Sequence, residues 1–445
     1  MGGFLALLLL ATPTPPPIIV GPMVGYGTHH EVMIWARTLE PTSIAVRYWA
    51  VDEPTQKRIT PTQETAGEDG RVAHIRLQEL TPGTHYGFEM LVGDPLVVSA
   101  AKHPLRFQTQ ALWHRRAEPP PFTFAFGSCL YLNDPLYESP KLPPYGGGYE
   151  IFESIRAQSP DLMLWLGDNV YLRPTDWSSR GGIFRRYARE RPFAPLQGLL
   201  GSTHNYAVWD DHDYGPNDAD WTYVHKGAAL DAFREYWANP SYGLPDTPGV
   251  FGQFTWADVD FFLVDVRYYR SSSRAPRTPT KTLLGERQFS WLMDSLTSSK
   301  APFKVVIGGG QFLSPFDHFE GYAQYPHEQR RLIDTLVKRG VEGVLFLSGD
   351  RHHSELVRIK RKGFYPLYDF TSSPLGSRGA KADKERKSRV RVPGTLIHSR
   401  RSFGMIRVDG PGKDRVMTLE ARDTGGELIW QHQIRARELR VPKAR

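Results

Sequence analysis

The stretch Asp161–Tyr171, DLMLWLGDNVY, decides how the chain is read. Its apolar run, Leu162 to Leu166, is bounded by Pro160 and Gly167. Such a run between two breakers reads as a fully buried strand, although a short helix has the same periodicity over that length. Asp168 then stands just past the carboxyl end of the strand, where open α/β sheets bind ligands. Hard, multiply charged cations take carboxylates of this kind. Gly-Asp-Asn is also ordinary turn chemistry, so the stretch alone leaves both a turn and a metal site open.

The neighbouring apolar runs end in the same way. Phe122, Phe124 and Phe126 alternate and deliver Cys129 after Gly127-Ser128. The run from Asn205 ends in Asp210-Asp211-His212-Asp213. Val344 to Leu347 leads into Ser348-Gly349-Asp350-Arg351-His352-His353. Each cluster by itself has a bland explanation: a capped turn for the aspartates, a buried pair for the histidines. Turn chemistry does not explain four such clusters, each directly after an apolar run. Carboxylates at this density repel one another unless cations sit between them. The residues therefore point to a site for two or more metal ions with mixed O, N and S ligands. A thiolate and a phenolate, Cys129 and Tyr171, are unusual ligands for calcium or magnesium; they suit a trivalent or transition ion. Asp168 is placed to bridge two ions.

At 445 residues the chain has room for two or three domains. Residues 1–21 comprise an apolar run, Phe4 to Ala11, and a proline-rich linker, Thr12 to Pro17. The run is too short to span a bilayer and resembles the apolar part of a secretory signal without the positive residues that normally precede it. A secreted, periplasmic or cell-surface protein is the expectation. Residues 22–112 read as a β-sandwich: Val32, Ile34 and Ala36 alternate with Met33, Trp35 and Arg37, as do Ile44, Val46 and Tyr48 with their neighbours. Leu80 to Tyr86, LTPGTHY, resembles the tyrosine corner of fibronectin type III sandwiches, with an ordinary hairpin turn as the alternative. Residues 113–121, ending in EPPP, read as a linker.

From 122 to 435 strands and helices interleave, so this domain is α/β. The helix candidates are Glu150–Gln158, residues 183–191 and Lys226–Asn239. Further strands are expected at Asp258–Arg267 and Phe303–Ile307, and alternation resumes from Phe403 to about Ile434. Residues 436–445 form a basic tail. The net charge of +7 favours anionic ligands only weakly. No helix-turn-helix, zinc-finger spacing or basic heptad segment marks a nucleic-acid reader. The densest charge, Ser377 to Arg391, reads as a solvated loop or as a cationic rim to the site. The single cysteine, Cys129, excludes an intrachain disulfide; it is either buried and inert or held by a metal.

Gly167-Asp168-x-x-Tyr171 resembles the motif of purple acid phosphatases, whose tyrosine ligates ferric iron. The Asp-x-His that usually opens calcineurin-like phosphoesterases is replaced by Phe126-Gly127-Ser128-Cys129. That replacement is similar to PhoD-type alkaline phosphatases and phosphodiesterases. So are Trp209-Asp210-Asp211-His212-Asp213, Asp265-Val266-Arg267, Ser348-Gly349-Asp350-Arg351-His352 and Thr371-Ser372-Ser373-Pro374. The resemblance spans roughly residues 22–435. It implies a fibronectin-like β-sandwich followed by a four-layered αββα core with two central mixed sheets. It implies one ferric ion and one or two calcium ions. Carried over by position, Cys129, Asp168 and Tyr171 would hold iron, and Asp168 would bridge to calcium. Asp210 or Asp211, His212, Asp350 and His352 would complete the ion shells, with Asn217 a further candidate. The family's twin-arginine export signal and C-terminal lid helix are not visible here.

The expected chemistry is hydrolysis of a phosphate mono- or diester, with a hydroxide generated at the metals attacking phosphorus in line. Arginine offers a bidentate fork for phosphate; Arg351 and Arg267 are the candidates, with a structural ion pair as the alternative for each. His353 is the candidate acid for the leaving alkoxide. Two other classes compete. One is a non-enzymatic, calcium-stabilised extracellular binding protein. The other is a cysteine hydrolase pairing Cys129 with His212 or His353, which needs thiol and imidazole within hydrogen-bond reach.

Overall fold

A computed structural model describes residues 19–65 and 71–442. The signal-like run and the proline-rich linker fall outside the described residues. Strands Ile19–Gly27, Val32–Thr38 and Val72–Leu77 form one antiparallel sheet. Thr42–Ala50 and His85–Val92 pair at the centre of a second sheet. Ile34, Val46, Ile75, Phe88 and Phe107 fill the space between the two. The hydroxyl of Tyr86 accepts the backbone N–H of Thr81 at 2.9 Å, so the tyrosine of LTPGTHY does tie back to its own turn. Val32–Thr38 is buried on both faces, not one. Its Met33 and Trp35 pack against the following domain, and the Trp35 indole donates to the carbonyl of Glu235 at 2.8 Å.

The remainder is built on two six-stranded mixed sheets. In the first, Phe122–Gly127, Leu162–Leu166 and His204–Val208 run parallel, and Phe403–Asp409, Val416–Arg422 and Leu428–Arg435 continue it antiparallel. In the second, Val259–Leu263, Phe303–Ile307, Val344–Ser348 and Leu367–Thr371 are parallel, with antiparallel Gly252–Trp256 and Glu355–Ile359 at the edges. Parallel strands need covering on both faces. Phe124 meets Phe261 edge-on at 5.3 Å, and Phe126 meets Phe370 at 4.8 Å, so the sheets pack on each other. Leu162, Leu164 and Leu166 point into that interior; Met163 and Trp165 point out, toward helices Ile151–Ala157, Arg180–Glu190, Ala194–Leu200 and Lys226–Tyr236. Helices Glu286–Ser298 and Pro326–Lys338 supply Phe289, Leu292, Leu332 and Leu336 to the core of the second sheet. Each buried leucine here is worth about 2–5 kcal/mol against truncation to alanine.

The parallel strands end on one edge, and this is what positions the site. Phe122–Gly127 delivers Cys129, Leu162–Leu166 delivers Asp168, and His204–Val208 delivers Asp210 and Asp211. From the second sheet, Val344–Ser348 delivers Asp350. Among the described residues no helix is long and apolar enough to cross a membrane. Part of the basic tail is docked: Ala436–Leu439 is a 3-10 turn with Leu439 buried, and the carbonyl of Leu439 accepts the N–H of Gly343.

Candidate metal centre

Four residues at these strand ends hold left-handed backbone: Cys129 (φ 63°), Asp168 (φ 50°), Asp350 (φ 65°) and His352 (φ 51°). A side chain at such an angle costs roughly 1–3 kcal/mol and persists only where surrounding bonds fix it. Here they do. The N–H of Cys129 donates to the carbonyl of Gly167 at 3.2 Å, and that of Leu130 to the carbonyl of Asp168 at 2.9 Å. The N–H of His352 donates to Ser373 Oγ at 3.0 Å. Glycines let the strand ends close up. A Cβ at Gly309 would fall 2.6 Å from Asp210 Oδ2, and one at Gly349 would fall 2.6 Å from Ser128 Oγ.

The ligand-type atoms then converge. Cys129, Asp168 and His352 place one atom each within 4.8 Å of one another; so do Asp168, Asp211 and His212, and Asp210, Asp211 and Asp350. Asp168 joins the first group to the second, and Asp211 the second to the third. Tyr171 completes the wall: its hydroxyl is 3.4 Å from His352 Nε2, and its ring stacks on His212 with centroids 4.3 Å apart. Ser377 donates to the Tyr171 oxygen at 3.1 Å, and Ser373 to Cys129 Sγ at 3.2 Å.

Without a cation this arrangement is electrostatically unhappy. Burial, then Asp211 and Asp210, push the Asp168 carboxyl far up. Burial, then Asp168 and Asp350, do the same to the Cys129 thiol. Asp350 is driven to about 7 by burial. Asp210 Oδ2, Asp211 Oδ1, His212 Nδ1 and Asp350 Oδ2 are buried and have no hydrogen-bond partner. A buried acceptor left unmade costs about 1–3 kcal/mol, more when charged. Metal ions between these atoms would remove both penalties, so the donor set fits cations. The raised thiol is the opposite of what a cysteine nucleophile needs, and the imidazole grouped with Cys129 is that of His352, not His212 or His353.

Two residues expected to act on substrate are placed otherwise. Arg267 has no exposed surface. Its Nε donates to Asp210 Oδ1 at 2.5 Å, and its Nη1 to Glu320 Oε1 at 3.0 Å. It is a structural ion pair that holds Asp210, because a guanidinium saturated by carboxylates has no fork left for phosphate. His353 is also buried, with Nδ1 3.1 Å from the carbonyl of Arg351 and Nε2 3.3 Å from Glu355. Both ring nitrogens are engaged inside the protein, so it braces the Arg351 backbone and does not reach a leaving group. Arg351 does face the cleft, held by Glu385 at 3.0 Å and lying 4.2 Å over the Phe319 ring. Asn217 is exposed on the same cleft.

Sequence reasoning missed Asp218 and Glu320, which group with Asp211, and Asp213. The Asp213 carboxylate accepts the N–H groups of Asn169 at 2.9 Å, Val170 at 3.2 Å and Asp210 at 2.9 Å, so it locks two ligand loops together. Asp213 was legible as the third residue of a capping box. Glu320 follows no apolar run, and only the tertiary fold brings it in.

The PhoD-like phosphatase family model matches residues 124–421. The chain belongs to that family. This PhoD-like phosphatase is 24% identical over 429 residues to alkaline phosphatase D of Bacillus subtilis (strain 168), covering 82% of this chain and 70% of the relative. Its fold matches a solved structure of PhoD with a TM-score of 0.74 at 20% identity, covering 96% and 92% of the two chains. It also matches a purple acid phosphatase from yellow lupin (Lupinus luteus) seeds, with a TM-score of 0.64 at 12% identity over 94% of this chain and 74% of the other. The chain is a metal-dependent hydrolase of phosphate esters.

Proposed function

We propose that this phosphatase works with one ferric ion and one or two calcium ions on phosphate mono- and diesters outside the cytoplasm. The observation that carries the metal assignment is the shared membership of Asp168 in two ligand groups, one with sulfur and one without. Cys129, Tyr171 and His352 would hold iron beside Asp168, since thiolate and phenolate favour a transition or trivalent ion. Asp210, Asp211 and Asp350 would hold calcium, which takes carboxylate oxygens. When bound, these cations would supply a water of depressed pKa and offset the charge of the phosphoryl oxygens. The chain's own part is positioning. Arg267 fixes Asp210 from behind, and Asp213 fixes the loops of Asp168 and Asp210. Arg351 presents a cation at the edge of the carboxylate floor, where a bidentate fork can take a phosphoryl oxygen pair. The signal-like run Phe4 to Ala11 supports export, and the three-strand sheet facing the Thr42–Ala50 sheet, with the Tyr86 tie, supports a fibronectin type III kind of sandwich.

A chromogenic phosphodiester assayed with and without chelator tests the reading. Turnover is expected to vanish on exhaustive chelation and to return when iron and calcium are restored. Full turnover by metal-free protein would contradict it.

A further inference from the structure

Two clefts meet at Tyr171 and His212. The first, about 780 Å³, contains the carboxylates Asp168, Asp211 and Asp350 and is edged by Lys381 and Lys384. The second, about 930 Å³, shares Tyr145, Tyr171, His212 and Asn217 with the first, so it opens directly onto the metal centre. Its chemistry is different. Much of its wall is the loop from Tyr131 to Tyr145, which carries Pro135, Pro140, Pro143 and Pro144. Proline brings no N–H donor, so these four residues offer the cleft no backbone donors. Its aromatic and aliphatic side chains include Tyr131, Tyr137, Leu142, Tyr145 and Trp177, with Asn133, Glu138, Ser139, Arg173 and Arg378 in the polar part of the lining. Leu142 is 69% exposed and Tyr137 42%, an apolar surface left to water beside the reacting centre.

The wall is also fixed in place. Tyr131 sits edge-on to Tyr145 at 4.7 Å and to Tyr171 at 4.9 Å, and the Arg173 guanidinium lies 3.9 Å over its ring. Arg378 Nη2 donates to the carbonyls of Pro143 at 3.4 Å and Pro144 at 3.2 Å, tying the loop to the segment that carries Ser377. The hydroxyl of Tyr145 is 3.1 Å from His352 Nδ1, so the apolar cleft begins one side chain from the ligand cluster. A preformed, mostly apolar concavity of a few hundred to a thousand Å³ with a charged site at its mouth is the usual form of a small-molecule site.

We propose that this cleft is the organic-group subsite of the phosphatase: with the phosphate over the carboxylate floor, an aromatic or alkyl substituent of the same ester lies along Tyr145 and against Leu142 and Trp177. The preferred substrate class is a phosphodiester carrying at least one group of ring size or larger, in preference to diesters of glycerol or other small polyols. The inference rests on the phosphoester reading above. No further polar recognition is required of the cleft, because burial of the apolar group supplies the preference. One apolar group gained or lost in a pocket moves kcat/KM by about 10–200-fold.

The test compares bis(p-nitrophenyl) phosphate with glycerophosphoglycerol on the metal-loaded full chain, in the wild type, in Leu142→Ser and in Leu142→Ser/Trp177→Ala. Intrinsic leaving-group differences cancel when the ratio of the two kcat/KM values is compared between proteins. The ratio is expected to fall about tenfold or more in the double variant, through KM, with the single variant between. A second arm needs no turnover: calorimetric binding of phenylphosphonate and methylphosphonate, where the wild type should favour the phenyl compound and the double variant should lose that preference. If the wild type hydrolyses neither diester, the phosphoester reading fails, and the binding arm still decides the subsite. An unchanged ratio, or equal affinities for the two phosphonates, overturns the inference; a cleft that only docks another segment of the chain or a protein partner would give that result.

Discussion

Sγ of Cys129 lies 3.6 Å from Oδ2 of Asp168, both fully enclosed at the floor of the site. Burial pushes both groups toward their protonated forms, reinforced at Asp168 by Asp211 and Asp210 and at Cys129 by Asp168 and Asp350. A cation shared by the two removes that penalty, and Asp168 also faces Asp211 and His212 on its other side. Asp168→Ala should therefore empty more than one ion position at once. Loss of a residue that merely orients a ligand costs roughly 10–100-fold, so kcat/KM should fall by more than about a hundredfold, with metal content reduced and the circular dichroism of the sandwich retained. A loss smaller than about tenfold would show that Asp168 is not a bridging ligand.

Arg267 neutralises Asp210 and Glu320, and all three side chains are buried. Removing one partner of such a pair leaves buried charge uncompensated, at about 3–5 kcal/mol. Arg267→Ala should lower unfolding stability by that order and lower metal content. KM for substrate should not change in the protein that remains folded and loaded. A raised KM with undiminished stability would return Arg267 to the substrate.

Glu190, whose carboxylate is bonded to the backbone of Tyr171, offers a pH signature of its own. Burial raises its carboxyl to about 8, although Arg186 lies 3.4 Å from it. The folded protein thus keeps a proton that the unfolded chain releases near pH 4.3. The associated stability is fully present below that unfolded value and is lost as pH rises through about 8. Glu190→Gln, which cannot ionise, should flatten the fall in unfolding free energy between pH 5 and pH 9 (about the two limits set by the shift). Parallel pH profiles for the two proteins would contradict the assignment.

The basic segment after Thr371-Ser372-Ser373-Pro374 borders the carboxylate cleft at residues 380–385. Lys381 and Lys384 are exposed there. A cationic rim raises the local concentration of anionic substrate, and salt screens it over about 8–10 Å. Lys381→Gln/Lys384→Gln should lower kcat/KM most at low ionic strength, with the gap closing as salt is added. A loss independent of salt would mean that the lysines act by contact or by structure.

Much of this was legible in the chain. Leu162–Leu166 and Phe303–Ile307 have the bounds that the sequence indicates, each stopping at a glycine; Lys304 is tolerated inside the second strand because its ammonium donates to the carbonyls of Ala301 and Glu342. Helix ends were less legible: the basic helix begins at Arg180, three residues before its first apolar side chain, because Ser179 caps it by accepting the N–H of Gly182. Helices Glu286–Ser298 and Pro326–Lys338 went unread, although their apolar spacing is regular. Cys129, Asp168, Asp211, His212, Asp350 and His352 announced themselves by following apolar runs, whereas Glu320 and Asp218 lie in loops that only the packing of the two sheets brings to Asp211. The roles of Arg267 and His353 could not be read from position, because a residue after a strand can point to the cleft or behind it; burial decides between these.

The most direct test is the metal content and visible spectrum of the purified protein, compared with Cys129→Ser. Thiolate and phenolate ligands on ferric iron give charge-transfer colour, and soft sulfur selects a transition ion over calcium. The account predicts about one iron per chain, a visible absorption band, and in Cys129→Ser a shifted or bleached band with less iron and calcium largely retained. A colourless, iron-free wild type with full phosphoesterase activity would contradict it.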